Sequence, residues 1–204
     1  MIAGMENALA AGVSAFILAG GKSTRMGTDK AFVDYDGRTL LARALDLARS
    51  VMADVRIVGS REKFAAYAPV VEDGFRDCGP LAGIQAALWA SSSELNLMMA
   101  VDMPFVSREF LQYLIGQARN TPEADVVVPL ADGRRQPLCA VYHATFAAVA
   151  ENSLRVGQYR IDRLFDHVRT RVIAPDELAG AGFSPAIFRN LNTPEELEAQ
   201  KRRA

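Results

Sequence analysis

The chain reads as an α/β protein: one domain of three layers, with a mostly parallel sheet covered by helices on both faces. Three observations predict this. Short β-branched runs alternate with longer segments of helical spacing, the pattern of a sheet built from strand–helix–strand units. The strand-like runs are apolar throughout rather than alternating, as expected for strands buried on both faces. The chain has 204 residues, 50% of them hydrophobic, which suits one domain with a sizeable core. Crossovers in such a sheet are right-handed, and ligands collect at the carboxyl ends of the strands. Every loop that follows a strand is therefore a candidate site.

In chain order, Val13 to Ala19 reads as a buried strand ended by Gly20-Gly21. Thr39 to Ser50 places Leu40, Leu41, Ala44, Leu45 and Leu47-Ala48 on a helical face. Val55 to Val58 is a second strand, closed by Gly59-Ser60, and Val70 to Glu72 a short third. Pro80 to Ser91 is a helix with proline in its favoured first turn. Leu95 to Val101 is another buried strand, and Ser107 caps a helix running to Arg119. Asp125 to Pro129 and Leu138 to Tyr142 are strands separated by a polar stretch, Ala131 to Gln136. Helices follow around Thr145 to Asn152 and Arg160 to Asp166, then a last strand over Arg169 to Ile173. Ala179 to Pro185 reads as loop from its glycines. Thr193-Pro194-Glu195-Glu196 is a capping box that opens a final helix.

Composition excludes several classes. Lys+Arg is 23 against Asp+Glu 24, so no bulk charge holds a polyanion such as nucleic acid. Basic residues are nearly all arginine; the lysines are Lys22, Lys30, Lys63 and Lys201, and two of them sit close together near the N-terminus. Cys78 and Cys139 form no CxxC or Cys/His cluster, which argues against zinc and fits reduced thiols in a cytoplasm. Met1 to about Gly12 lacks a basic signal region and reads as a loose leader, with one domain over residues 13–204. The most apolar stretch, Ala8 to Gly21, is too short to span a bilayer.

The first strand runs into Leu18-Ala19-Gly20-Gly21-Lys22-Ser23-Thr24-Arg25-Met26-Gly27-Thr28-Asp29-Lys30. Paired glycines let backbone N–H groups approach a ligand. With Lys22, Arg25 and Lys30 they form an anion trap suited to polyphosphate. Phe16 stands where a Walker A loop needs its first glycine, and Lys22 where a dinucleotide fingerprint needs its second. Neither common phosphate loop applies.

Two other strand ends carry carboxylates. Asp102 follows the apolar run Leu97 to Val101 and is either a turn residue before Pro104 or a ligand for a hard cation. Mg²⁺ favours one or two carboxylates together with substrate phosphates. Asp73 is either a solvated turn residue before Gly74 or an acceptor for the paired N1–H and N2 amino donors of guanine, which adenine lacks. Gly83, in the first turn of the helix opened by Gly79-Pro80, marks close approach of either a ligand or a packed strand.

These motifs together resemble the molybdenum cofactor guanylyltransferases (the MobA type), within the nucleotidyltransferases of GT-A-like fold. The resemblance rests on the first loop with its Asp29-Lys30 pair, Glu72-Asp73, Gly79 to Gly83, Asp102-Met103-Pro104, Pro137-Leu138 and Asn190-Leu191-Asn192-Thr193-Pro194-Glu195. It implies a Rossmann-like mixed sheet of the nucleotide-diphospho-sugar transferase type. It further implies transfer of GMP from GTP to the terminal phosphate of molybdenum-molybdopterin, with release of pyrophosphate. Leu18, Ala19, Gly20 and Gly21 would contact GTP, and Lys30 and Arg25 its phosphates. Asp73 would read guanine, and Asp102 would bind GTP and Mg²⁺. Asn190, Asn192 and Arg160 would lie on the acceptor side, and residues before them would form the nucleotide half. Molybdopterin-loading proteins and apo-molybdoenzymes would be partners of a cytoplasmic monomer that binds neither nucleic acid nor membrane. Where the family often has Asn after the second strand, this chain has Ser60. Two other functions fit the residues taken alone. One is a nucleotidyltransferase using CTP or a sugar-phosphate acceptor; the other is a nucleotide-binding regulatory module without catalysis.

Overall fold

The computed structural model describes residues 12–20, 29–75 and 77–191. The leader, Gly21, Arg25, Asn192 and the final capping box lie outside these residues.

The chain forms β1 (Val13–Leu18), β2 (Asp34–Tyr35), β3 (Arg38–Thr39), α1 (Leu40–Arg49), β4 (Asp54–Val58), α2 (Arg61–Phe64), β5 (Val70–Val71), α3 (Pro80–Ala90), β6 (Leu95–Ala100) and α4 (Arg108–Asn120). Then come β7 (Val126–Ala131), β8 (Arg134–Arg135), β9 (Cys139–His143), α5 (Phe146–Arg155), α6 (Ile161–Leu164), β10 (Thr170–Ile173) and α7 (Pro175–Gly180). Among the described residues, Lys30–Phe32 and Pro185–Phe188 form 3₁₀ turns.

The main sheet runs β10-β7-β9-β6-β1-β4-β5, with β8 paired to β7. β1 pairs in parallel with β4 and β6, β4 with β5, and β7 with β10. β9 is antiparallel to both its neighbours, β6 and β7. The sheet is mixed, and its parallel strands still discharge at one edge: β7 and β10 run in the same sense as β1.

Alternation along each strand feeds two cores. Ala15 and Ile17 of β1 join Ile57, Leu97, Met99 and Val141 beneath α1 and α4. Phe16 and Leu18 join Val58, Met98, Val126, Val128 and Tyr142 beneath α3, α5 and α6. Neighbouring residues point to opposite faces, so an all-apolar strand must be covered on both. The helices match. Thr39 caps α1, its hydroxyl accepting from the Ala42 N–H at 3.2 Å, and Leu40, Leu41, Ala44, Leu45 and Ala48 form its buried stripe. Ser107 caps α4 in the same way through Phe110.

Several features differ from the sequence expectation. Asp36-Gly37 and Asp132-Gly133 each turn a two-residue hairpin, β2–β3 and β7–β8, with positive φ at all four residues. Ala131 to Gln136 is therefore paired structure rather than a polar linker. α7 extends through Gly180, into the stretch read as loop. Pro175 begins it, and the Glu177 side chain accepts from the Ala174 N–H at 3.1 Å.

Candidate active site

A cleft of about 580 Å³ opens at the carboxyl edge of the sheet. The ends of β1, β4 and β6 supply Leu18, Ala19, Gly20, Val58, Ala100, Val101 and Asp102. The connection from β5 to α3 supplies Asp73, Phe75, Asp77, Cys78, Gly79 and Pro80. Asp29, Lys30, Gly83 and Leu138 close it.

Lys30 lies in the 3₁₀ turn that follows the loop after β1. Asp29 caps that turn, one carboxylate oxygen accepting from the Ala31 N–H at 3.2 Å. The Lys30 ammonium donates to Asp102 Oδ2 at 3.2 Å, with side chains only 23% and 15% exposed. Lys30 and the candidate metal carboxylate thus meet across 72 residues of chain. Asp102 stands two residues beyond β6 and turns its carboxylate to Lys30.

The backbone at the end of β1 is partly committed. The Ala19 N–H donates to the Val58 carbonyl at 3.0 Å, and the Leu18 carbonyl accepts from Val101 at 3.2 Å. Gly20 is the exposed residue of the three, and its backbone faces the cleft.

Asp73 lines the cleft from the β5–α3 connection, its residue surface largely exposed. Partial burial raises its pKa above the ordinary carboxylate value, and the like charge of Glu72 adds to the rise. Glu72 itself turns away, accepting from the Arg61 N–H at 2.9 Å.

Glycine enters the cleft for two reasons. Gly79 has φ +69° and ψ −164°, a conformation open essentially to glycine alone, and it sets the sharp entry to α3. A Cβ on Gly83 would sit 3.1 Å from Val58 Cγ1 and 3.7 Å from Leu18 Cδ2. Gly83 is thus needed for helix-on-sheet packing.

The acceptor-side candidates are less closely gathered. The Leu191 N–H donates to the Asp102 carbonyl at 3.0 Å, while Asn190, the residue before it, is exposed and is not among the lining residues. Arg160 caps α6, exposed, and is not among the lining residues. Its neighbour Tyr159 bonds the cleft residue Cys78, which pushes the phenol pKa up. Lys63 was not singled out by any motif; its ammonium lies 2.7 Å from Asp29 Oδ2. The available signal was a rare lysine just past a strand end.

No group of three or more His, Cys, Asp or Glu among the described residues could cage a metal. One recessed carboxylate facing a cleft fits a hard cation shared with substrate phosphates. No described helix is long and apolar enough to cross a membrane.

Residues 15–172 match the MobA-like NTP transferase domain. The chain is 35% identical over 189 residues to the molybdenum cofactor guanylyltransferase of Desulfosudis oleivorans, covering 91% of this chain and 93% of that one. It is 35% identical over 190 residues to a probable molybdenum cofactor guanylyltransferase of Bacillus licheniformis, covering 89% and 93%. The crystal structure of molybdopterin-guanine dinucleotide biosynthesis protein A from Archaeoglobus fulgidus superposes with a TM-score of 0.79 at 26% identity, over 93% of this chain and 97% of that one. The 2-C-methyl-D-erythritol 4-phosphate cytidylyltransferase of Thermus thermophilus shares the fold, with a TM-score of 0.66 at 20% identity, over 93% and 98% of the two chains. Nucleotidyltransferases of this kind work with a divalent cation. With the domain match spanning most of the sheet and these relatives aligned along nearly the whole chain, the protein belongs to the MobA-like NTP transferase family.

Proposed function

We propose that this protein transfers GMP from GTP to the terminal phosphate of molybdenum-molybdopterin, releasing pyrophosphate and forming the guanine dinucleotide of the cofactor. The supporting observation is the convergence of Lys30, Asp102 and Asp73 on one cleft, in a chain whose relatives carry the guanylyltransferase name. Residues 13–204 act as one domain, with nucleotide bound by the first half and acceptor by the second.

In this mechanism an acceptor phosphate oxygen attacks the α-phosphorus of GTP in line, and the bond to the pyrophosphate oxygen breaks. A phosphate monoester is already largely ionised near neutral pH, so the chain needs no strong base. Its task is to position two anions and offset their charge. Lys30 binds the phosphates, leaving Asp102 as it does so. Arg25 and the Gly20-Gly21 backbone hold the departing pyrophosphate. Asp73 accepts from the guanine N1–H and N2 amino group. Asn190, Asn192 and Arg160 face the acceptor. Asp102 would hold Mg²⁺, which when bound lowers the negative charge at the α-phosphate.

The test is pyrophosphate release from each of the four nucleoside triphosphates, with and without molybdopterin and Mg²⁺. Release from GTP that requires both is expected. Preference for CTP, or turnover with a sugar phosphate instead, would replace this reading with that of a relative. GTP binding without release would make the chain a nucleotide sensor.

A further inference from the structure

We infer that Lys63 is a positioning residue for Lys30, acting through Asp29. The inference rests on Lys30 being the phosphate ligand of the proposed reaction. Asp29 uses its two oxygens for different partners. One accepts from the Ala31 N–H and caps the short turn that carries Lys30; the other accepts from the Lys63 ammonium at 2.7 Å. Lys63 projects from α2, the four-residue helix after β4, so this contact joins the segments after two adjacent strands. Aromatic packing seats the same two segments: Phe32, at the end of the Lys30 turn, lies 5.8 Å from both Phe64 and Tyr67.

Two consequences follow from the charges. Without Lys63, the second oxygen of Asp29 loses its partner and the carboxylate is free to rotate away from Ala31, loosening the turn under Lys30. Asp29 also lines the cleft, as do Asp73, Asp77 and Asp102, while Lys30 is the cationic side chain among the described lining residues. Lys63 offsets Asp29 without occupying the phosphate position itself. Its side chain is 54% exposed, so the pair adds little to folding stability, and its effect belongs to ligand binding.

The experiment compares Lys63→Ala, Lys63→Arg, Asp29→Asn and the Lys63→Ala/Asp29→Asn double variant of the full chain. GTP affinity is read by calorimetry without acceptor, and kcat and KM with it. Lys63→Ala is expected to weaken GTP binding about tenfold and to lower kcat/KM about 10- to 100-fold. Lys63→Arg should restore most of both. The melting temperature should move by no more than about 2–4 °C. In the Asp29→Asn background, removing Lys63 should cost nothing further. Wild-type GTP affinity in Lys63→Ala, or losses that add in the double variant, would overturn the inference. A wild-type chain that binds GTP but transfers no GMP overturns the proposed reaction alone, because the Lys63 comparison is still read on binding. A wild-type chain that binds no GTP overturns both.

Discussion

Lys30 and Asp102 form a recessed ion pair, which in the proposed reaction an arriving nucleotide opens. In that reaction the ammonium would pass from Asp102 to the polyphosphate, and the carboxylate left behind would accept a cation. Lys30→Ala should lower turnover about 10²- to 10³-fold, the size of a lost preorganised donor, with circular dichroism unchanged. Near wild-type turnover from that folded variant would remove Lys30 from the site. Asp73 supplies a pH test. In the proposed reading its carboxylate accepts two donors from guanine and must be ionised to do so, while partial burial and then the like charge of Glu72 raise its pKa. GTP affinity should therefore fall on acidification at a higher pH than an ordinary aspartate would give. Glu72→Gln removes the like charge, so the fall should move to lower pH, as read by GTP titration across pH. An unmoved acid limb would dissociate Glu72 from the site.

At the scale of elements, two glycines predict opposite outcomes for one substitution. Gly79 holds φ +69° before α3, so Gly79→Ala should cost about 1–3 kcal/mol in denaturant unfolding. Gly116 lies inside α4 with open space where a Cβ would go, and Gly116→Ala should stabilise by about 0.5–1 kcal/mol. A loss at Gly116 would mean that α4 packs differently there. The longer elements were legible in the sequence because burial on two faces leaves an apolar run, as in Val13–Leu18, and burial on one leaves a stripe, as in α1. The hairpins around Asp36 and Asp132 escaped because their strands are two residues long, too short for alternation, although the Asp-Gly pairs were visible. α2 spans four residues, about one turn, and shows no period. The strand-end residues Asp73 and Asp102 were legible because a strand end fixes where a side chain emerges. Lys63 was not, because its role depends on a contact with a residue 34 positions away.

For the whole molecule, β9 is the strand whose orientation makes the sheet mixed. The connection from β7 through β8 is far too short for a crossover, so β9 must return antiparallel. It lies between the two parallel groups, β5-β4-β1-β6 and β7-β10, and ties them into one sheet. Both groups end at the same edge of the sheet.

That central strand also carries Cys139, fully buried at 0% exposure, its thiol pushed up to about 12 by burial, whereas Cys78, largely buried at 8% exposure, borders the cleft; both are free thiols. The thiolate is the nucleophile that attacks an alkylating reagent, so the sulfur sealed in the core and hard to ionise, Cys139, should react far more slowly than the one at the cleft. The native chain should label at Cys78, the unfolded chain at both, and saturating GTP should slow the first reaction, as mass spectrometry of the modified peptides would show. Simultaneous labelling of both in the native chain would contradict the burial of β9. The fold thereby supplies a built-in covalent footprint of cleft occupancy, usable without any introduced probe.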